Sequence, residues 1–196
     1  VKILIACEFS GIVRDAFIKK GHDAVSCDLL PTEAPGPHYQ GDVLKILNKG
    51  WDMMIAHPPC TYLTVTANRS FLNNPDRWKK RYEAMLFVWQ LFNAPIEKIC
   101  IENPVGVIST YVRKPNQYIH PYQYGHTDSK KTGLWLKRLP LLKPTKSVRP
   151  EYIVAPSGKR MSKTHAMNPS TNNINNKKLR SRTYQGIANA LSNHWG

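Results

Sequence analysis

Long apolar runs are missing from this chain of 196 residues; none approaches the ~18–20 residues that a membrane span needs. Paired cysteines are missing too. Cys7, Cys27, Cys60 and Cys100 are widely spaced and form no C-x-x-C, which argues against a disulfide scaffold or a zinc ribbon. A reducing, cytoplasmic compartment is therefore expected. The opening run Val1 to Cys7 meets Glu8 at once and has neither the length nor the cleavage site of a signal peptide, so it reads as a buried strand. There is no G-x-G-x-x-G and no P-loop, so neither a dinucleotide site nor a phosphate cradle is supported. Acidic residues are scarce, 13 against 28 Lys and Arg, for a net charge of +15.

What is present suits one domain. Hydrophobic residues make up 41% and charged residues 21%, enough for an ordinary core. The positive excess is uneven. Residues 1–56 hold six basic and seven acidic side chains, whereas residues 57–196 hold 22 basic and six acidic. A neutral beginning followed by a basic remainder suggests that something small binds early and a polyanion binds late. Nucleic acid is the natural polyanion, because clustered Lys and Arg release counterions on phosphate contact.

Strand and helix patterns alternate along the first hundred residues. Residues 2–7 read as a strand buried on both faces, 23–28, 52–56 and 98–101 as further strands, and Gly41–Val43 as the end of a weak one. Helical patterns cover 12–17, 43–49 and 76–92, with Trp78 and Trp89 at core spacing. This grammar predicts an α/β doubly wound sheet, mostly parallel, with ligands beyond the carboxyl ends of its strands. Later, Leu134 to Leu136 suggests a strand and Tyr184 to His194 a final helix. The division expected is a core over 1–142, a basic, loop-rich insertion over 143–180, and a closing helix over 181–196. Residues 143–182 carry ten Lys or Arg and one acid, Glu151.

Chemistry gathers at the strand ends. Glu8-Phe9-Ser10-Gly11 is expected to leave backbone amides free at a helix start, with Gly11 permitting close approach. Asp28 suits a ribose diol, and Asp42 an adenine amino group. Jointly they suggest a nucleoside-containing cofactor whose body is not a phosphate. Pro58-Pro59-Cys60 stiffens a turn and presents a thiol, while Glu102-Asn103-Pro104 sets a carboxylate at the next strand end. Such a pair can work on a pyrimidine: the thiolate adds to C6, the acid serves N3, and C5 becomes nucleophilic toward a methyl donor.

At these residues the chain resembles the DNA (cytosine-5) methyltransferases. Phe9-Ser10-Gly11 is similar to that family's cofactor turn, Asp28 and Asp42 to its ribose and adenine acids, and Pro58-Pro59-Cys60 to its nucleophile turn. Glu102-Asn103 matches its E-N pair, and Gln185 to Ala190 its closing segment, with Asn189 at the cofactor side. The nearest likeness is to small phage-type members with His-Pro-Pro-Cys and Tyr-Gly-His segments. The resemblance implies a Rossmann-like class I methyltransferase fold with helices on both sheet faces. It further implies S-adenosylmethionine as donor, Cys60 and Glu102 as catalytic residues, and Phe9, Ser10, Gly11, Asp28, Asp42, Pro59 and Asn189 as cofactor contacts. The partner would be double-stranded DNA with its target base flipped out, in the cytosol of the host if the chain is phage-encoded.

Several features differ from the family. His57 stands where a small residue is usual, Thr61 follows the Cys in place of Gln, and the Q-x-R-x-R segment is absent. The segment from Tyr124 to Lys131 offers lysines instead, which lack arginine's bidentate fork. With only about residues 143–180 for target recognition, the expectation is phosphate binding with little or short sequence specificity. Arg69, Lys130, Lys131, Lys159, Arg160, Lys163, Arg180 and Arg182 are the expected nucleic-acid contacts. A cysteine where amino-methyltransferases carry an aromatic disfavours adenine-N6 methylation. Residues 61–74 read either as a lid or as a surface loop. No metal is expected, since His57, Cys60, His120 and His126 lack ligand spacing, and a monomer without membrane association is expected. Two alternatives stay open: a non-catalytic basic DNA-binding protein on this fold, and a pyrimidine C5 methyltransferase acting on RNA or a free nucleotide.

Overall fold

The computed structural model describes residues 1–158, 160–166 and 174–196. Among them, seven strands form one sheet: β1 (Lys2–Ala6), β2 (Asp23–Asp28), β3 (His38–Gln40), β4 (Met53–Ala56), β5 (Lys98–Pro104), β6 (Gln117–Ile119) and β7 (Thr132–Lys137). Their spatial order is β3-β2-β1-β4-β5-β7-β6. The first five pair in parallel, and β7 runs antiparallel to β5 and β6. The helices are α1 (Ile12–Ile18), α2 (Pro75–Phe92), α3 (Ile108–Tyr111), α4 (Lys163–Ala166), α5 (Ile174–Ser181) and α6 (Gln185–Trp195). A short antiparallel hairpin, β8 (Ile153–Val154) with β9 (Arg160–Met161), stands apart from the main sheet.

Side chains along a strand alternate between faces, and here both faces are covered. Ile3 and Ile5 of β1 join Ile55, Leu134 and Leu136 in a core closed by Val13 and Phe17 of α1 and by Ile187, Leu191 and Trp195 of α6. Leu4 and Ala6 point the other way, into a second core with Met54, Ile99 and Ile101 beneath Val88 and Leu91 of α2. This double burial explains why β1 and β4 read as continuous apolar runs. The outcome is the expected α/β, Rossmann-like fold, mostly parallel and covered by helices on both faces. No helix among the described residues is long and apolar enough to cross a membrane.

Several local expectations change. The 43–49 helix is one 3-10 turn, Val43–Lys45, because Ile46, Leu47 and Trp51 leave the helical path to pack under the sheet. Residues 61–74 contain a 3-10 segment, Val65–Phe71. Within 143–182, β8, β9, α4 and α5 are ordered elements in a stretch expected to be loop-rich.

Trp78 and Trp89 are not core residues; they are 50% and 55% exposed. Helical period places both on one face, but α2 buries a different one, carrying Arg81, Val88 and Leu91. Arg81 fixes that choice. Its guanidinium lies 3.6 Å from the Phe71 ring centre and donates to Tyr62 O and Asn68 Oδ1, so the cation is covered and the indoles are left outside.

Candidate active site at the strand ends

The turn after β1 is occupied by its own side chain. Glu8 is buried, and its Oε1 accepts from Val13 N–H at 2.7 Å while Oε2 accepts from Arg14 N–H at 3.2 Å. Ser10 Oγ accepts from Ile12 N–H and donates to Glu8 Oε1. The amides of the α1 start are thus taken, not free as the sequence suggests, because a carboxylate five residues upstream reaches the helix dipole first. Phe9 is buried beside this cap, and Gly11 adopts φ 76°, where only glycine is unstrained.

Asp28 and Asp42 converge on the neighbouring edge. Cys7 lies beyond the end of β1, and its half-buried thiol is pushed far up by desolvation and by the charges of Asp28 and Asp42. Burial and the same two carboxylates push Cys27 up to about 12. Asp28 itself is raised by burial, against the Leu30 N–H and His38, which favour its ionised form. Asp42 Oδ1 accepts from Leu44 N–H at 3.0 Å and so caps the 3-10 turn as well.

Arg14, fully buried, closes this edge. It donates to Asp15, Ser26 and Thr32 and to the carbonyls of Ala34 and Pro35, folding the Pro-rich segment back on the sheet. One Arg in an apolar pattern gave no sign of that role, since apart from Asp15 its partners lie 12 to 21 residues away.

The thiol turn is pinned at two places. Asn103 is buried and its Nδ2 donates to Pro58 O at 2.8 Å, which ties the end of β5 to the turn after β4. Beyond the cysteine, Val107 N–H donates to Leu63 O at 2.8 Å and Thr64 bridges Gly106. A Cβ on Gly106 would meet Leu63 O at 2.1 Å, so only glycine lets the two segments approach. Pro59 and Cys60 are exposed at the apex.

Glu102 lies at the end of β5, 23% exposed, with Nδ1 of the nearly buried His57 donating to Oε2 at 3.1 Å. Burial pushes the Glu102 carboxyl up, but His57, Lys130 and Thr132 outweigh it and hold the group below its usual range. Cys60 is exposed at the apex, but the protein around its sulfur desolvates the thiolate and raises the thiol; Lys130 opposes this, Glu102 adds to it, and Arg180 opposes it more weakly. Lys130 thus faces both groups, and its Nζ donates to the Arg180 carbonyl at 3.2 Å. The C-terminal end of α5 is thereby brought over the thiol and the carboxylate.

The other predicted cations disperse. Lys163 pairs with Glu151, Arg182 pairs with Glu33 at 2.8 Å, Lys131 lies over Tyr118 and Arg160 over Tyr152. Arg69 lies in the 3-10 segment after the thiol turn, and Lys159 lies outside the described residues. Asn189 is on the exposed side of α6, where its carboxamide oxygen accepts from Gln185. Sequence reasoning missed Asp128, which accepts from Ser129 N–H, from Thr164 N–H and Oγ1 and from Tyr184, and so joins three segments. Gly186 N–H donates to His126 Nε2 and anchors the start of α6 to the Tyr-Gly-His segment. Among the described residues no cluster of His, Cys, Asp and Glu could hold a metal ion.

No family model and no curated protein sequence matches the chain. Among solved structures, it is similar to a prophage-encoded Escherichia coli protein described as a candidate DNA modification methyltransferase, with a TM-score of 0.47 and 13% identity. The match covers 76% of this chain and 52% of that one, so this chain spans about half that structure's length. At this identity the likeness is one of backbone fold alone.

Proposed function

We propose that the chain is an S-adenosylmethionine-dependent methyltransferase acting at C5 of cytosine in DNA, with little or short sequence specificity. The observation that carries this reading is the Cys60–Glu102 site: a thiol on a pinned turn, a carboxylate at the neighbouring strand end, and Lys130 facing both.

The β1–β2 edge fits the donor. Glu8 consumes the α1 amides, so a phosphate has no cradle there, while Asp28 and Asp42 bring two carboxylates to one place. Phe9, Ser10, Gly11, Asp28 and Asp42 would hold the nucleoside, with Pro59 and Asn189 closing the site by resemblance. When bound, S-adenosylmethionine supplies an electrophilic methyl group.

The chain's own residues do the rest. Cys60, as thiolate, bonds to C6; Glu102 hydrogen-bonds or protonates N3; the ring's electron pair becomes available at C5. After C5 is methylated, its proton leaves and the C6–S bond breaks. Lys130, with Arg180, favours the thiolate and takes the position of the missing arginine segment beside the pyrimidine. The excess of Lys and Arg over residues 57–196 supplies phosphate contacts, including Arg69, Lys131 and Arg160.

Duplex DNA containing 5-fluorocytosine tests the reading. Fluorine replaces the proton whose loss frees the enzyme, so the wild type should be trapped covalently in the presence of donor. Cys60→Ser should give no trapped complex on a denaturing gel, a loss of at least ~10³-fold. Trapping by Cys60→Ser, or by wild type on RNA alone, overturns the assignment.

A further inference from the structure

His57 is the feature that the mechanism above leaves unused. It sits at the end of β4, three residues before the thiol, and its side chain is 9% exposed. One ring nitrogen, Nδ1, faces Glu102 Oε2 at 3.1 Å; the other, Nε2, is buried with no hydrogen-bond partner among the described residues. A buried imidazole nitrogen without a protein partner is costly, and such groups mark a catalytic role or a place for bound water.

The surroundings supply a reason. His57 and Glu102 line a partly open pocket of about 30 Å³ together with Lys130, Thr132, Arg182 and Tyr184. A cavity of that size and polarity has room for roughly two water molecules. Beneath lie the apolar side chains of Ile55, Ile119 and Leu134, so the pair borders apolar core on one side and the reactive turn on the other.

We propose that His57 is a positioning residue that shares a proton with Glu102 and reloads it during the reaction. This rests on the cytosine C5 reading for the identity of the proton's acceptor; the shared proton itself does not. In balance, the Cys60 sulfur forms the bond to C6 with its own electron pair, and ring N3 takes one proton. That proton leaves Nδ1 of the His57 imidazolium and passes through the ionised Glu102, which ends as a carboxylate beside a neutral ring. When the C5 proton passes to solvent water, its electron pair forms the C5=C6 bond, the C6–S pair leaves with Cys60 as thiolate, and N3 returns its proton through Glu102 to His57. Thr132 donates to Glu102 and fixes the carboxylate between the two partners. Keeping His57 in place of a small residue thus gives Glu102 an adjacent proton source that is itself nearly buried.

The charged and titratable groups facing the pair are Lys130 before β7, Arg180 at the end of α5, Arg182 and Tyr184 before α6, and the Cys60 and Cys100 thiols. The pH dependence of single-turnover transfer separates them. Transfer should show a rising and a falling limb with pH, and the falling limb should require the His57 imidazole. His57→Asn keeps an N–H donor toward Glu102 but cannot titrate. It should transfer roughly 10²-fold more slowly, keep the KM for DNA, and lose the falling limb alone. Lys130→Ala should keep that limb.

Carboxyl ¹³C and ring ¹⁵N NMR of the donor-free chain provide a readout without turnover, with the Glu102 signal assigned by its loss in Glu102→Gln. Glu102 and His57 should titrate in step in the wild type, and Glu102 should titrate in a single shifted step in His57→Asn. Stepwise NMR titration with no methyl transfer by the wild type keeps the pair and removes the C5 reading. Independent titration of the two groups, or a falling limb that survives in His57→Asn, overturns the proposal.

Discussion

The two halves of the strand-end crevice carry opposite charge. Where β1 and β2 end, Glu8, Asp28 and Asp42 crowd together, and the thiols of Cys7 and Cys27 are driven up by burial and by the two aspartates. Where β4 and β5 end, Lys130 and Arg180 oppose the burial of Cys60, and Glu102 is held below its usual range. All three thiols are raised by desolvation; carboxylates push Cys7 and Cys27 further up, while two cations moderate the rise at Cys60.

Breaking the cationic half should cost most. Glu102→Gln should lower methyl transfer by ~10²–10⁴-fold and leave donor binding by calorimetry close to wild type. A parallel loss of donor affinity would show that the two halves are not separable.

Lys130→Ala comes next. A thiol raised by burial is mostly protonated at neutral pH, so alkylation of Cys60 by iodoacetamide should speed up about tenfold per pH unit below its midpoint. Without Lys130 that midpoint moves to higher pH, so alkylation at pH 8 should slow several-fold. An unchanged rate would place the influence on Arg180 instead.

The acidic half is tested by Asp28→Asn, which should weaken donor binding about tenfold, ~1.4 kcal/mol. Because burial raises Asp28, its ionised form is lost at a higher pH than for an ordinary aspartate, and donor affinity should fall as pH drops through that range. The variant should show no such fall. Calorimetry at two pH values checks both statements.

The smallest effect concerns the dispersed cations. Arg160→Gln should reduce the log–log salt slope of DNA binding by roughly 0.9 while leaving transfer at saturating DNA unchanged. Arg182→Gln should do less to the slope, since Arg182 is already engaged by Glu33.

The fold was readable where burial is two-sided and contacts are local. β1 and β4 show as unbroken apolar runs, and Pro58-Pro59-Cys60 and Glu102-Asn103 stand out as residue types with few other uses at a strand end. What escaped depends on distant partners. Arg14 gathers acceptors from the 26–35 segment, Glu8 caps a helix across a turn, and Asp128 meets residues 36 and 56 positions onward. Short polar strands such as β6 carry no periodicity to detect, and α5 lies in an Asn- and Lys-rich stretch that composition marks as loop. For α2 the spacing was clear and the covered face was not, because Arg81 took the place beside Phe71.

That choice of face has an optical consequence. Of the five tryptophans, Trp78 and Trp89 emit from water, whereas Trp51, Trp135 and Trp195 emit from the core. An aqueous quencher such as iodide reaches the first pair in the folded chain and the other three only after unfolding. One fluorescence spectrum therefore superimposes a red-shifted surface band and a blue-shifted interior band, and the quenchable share separates events along α2 from loss of the core.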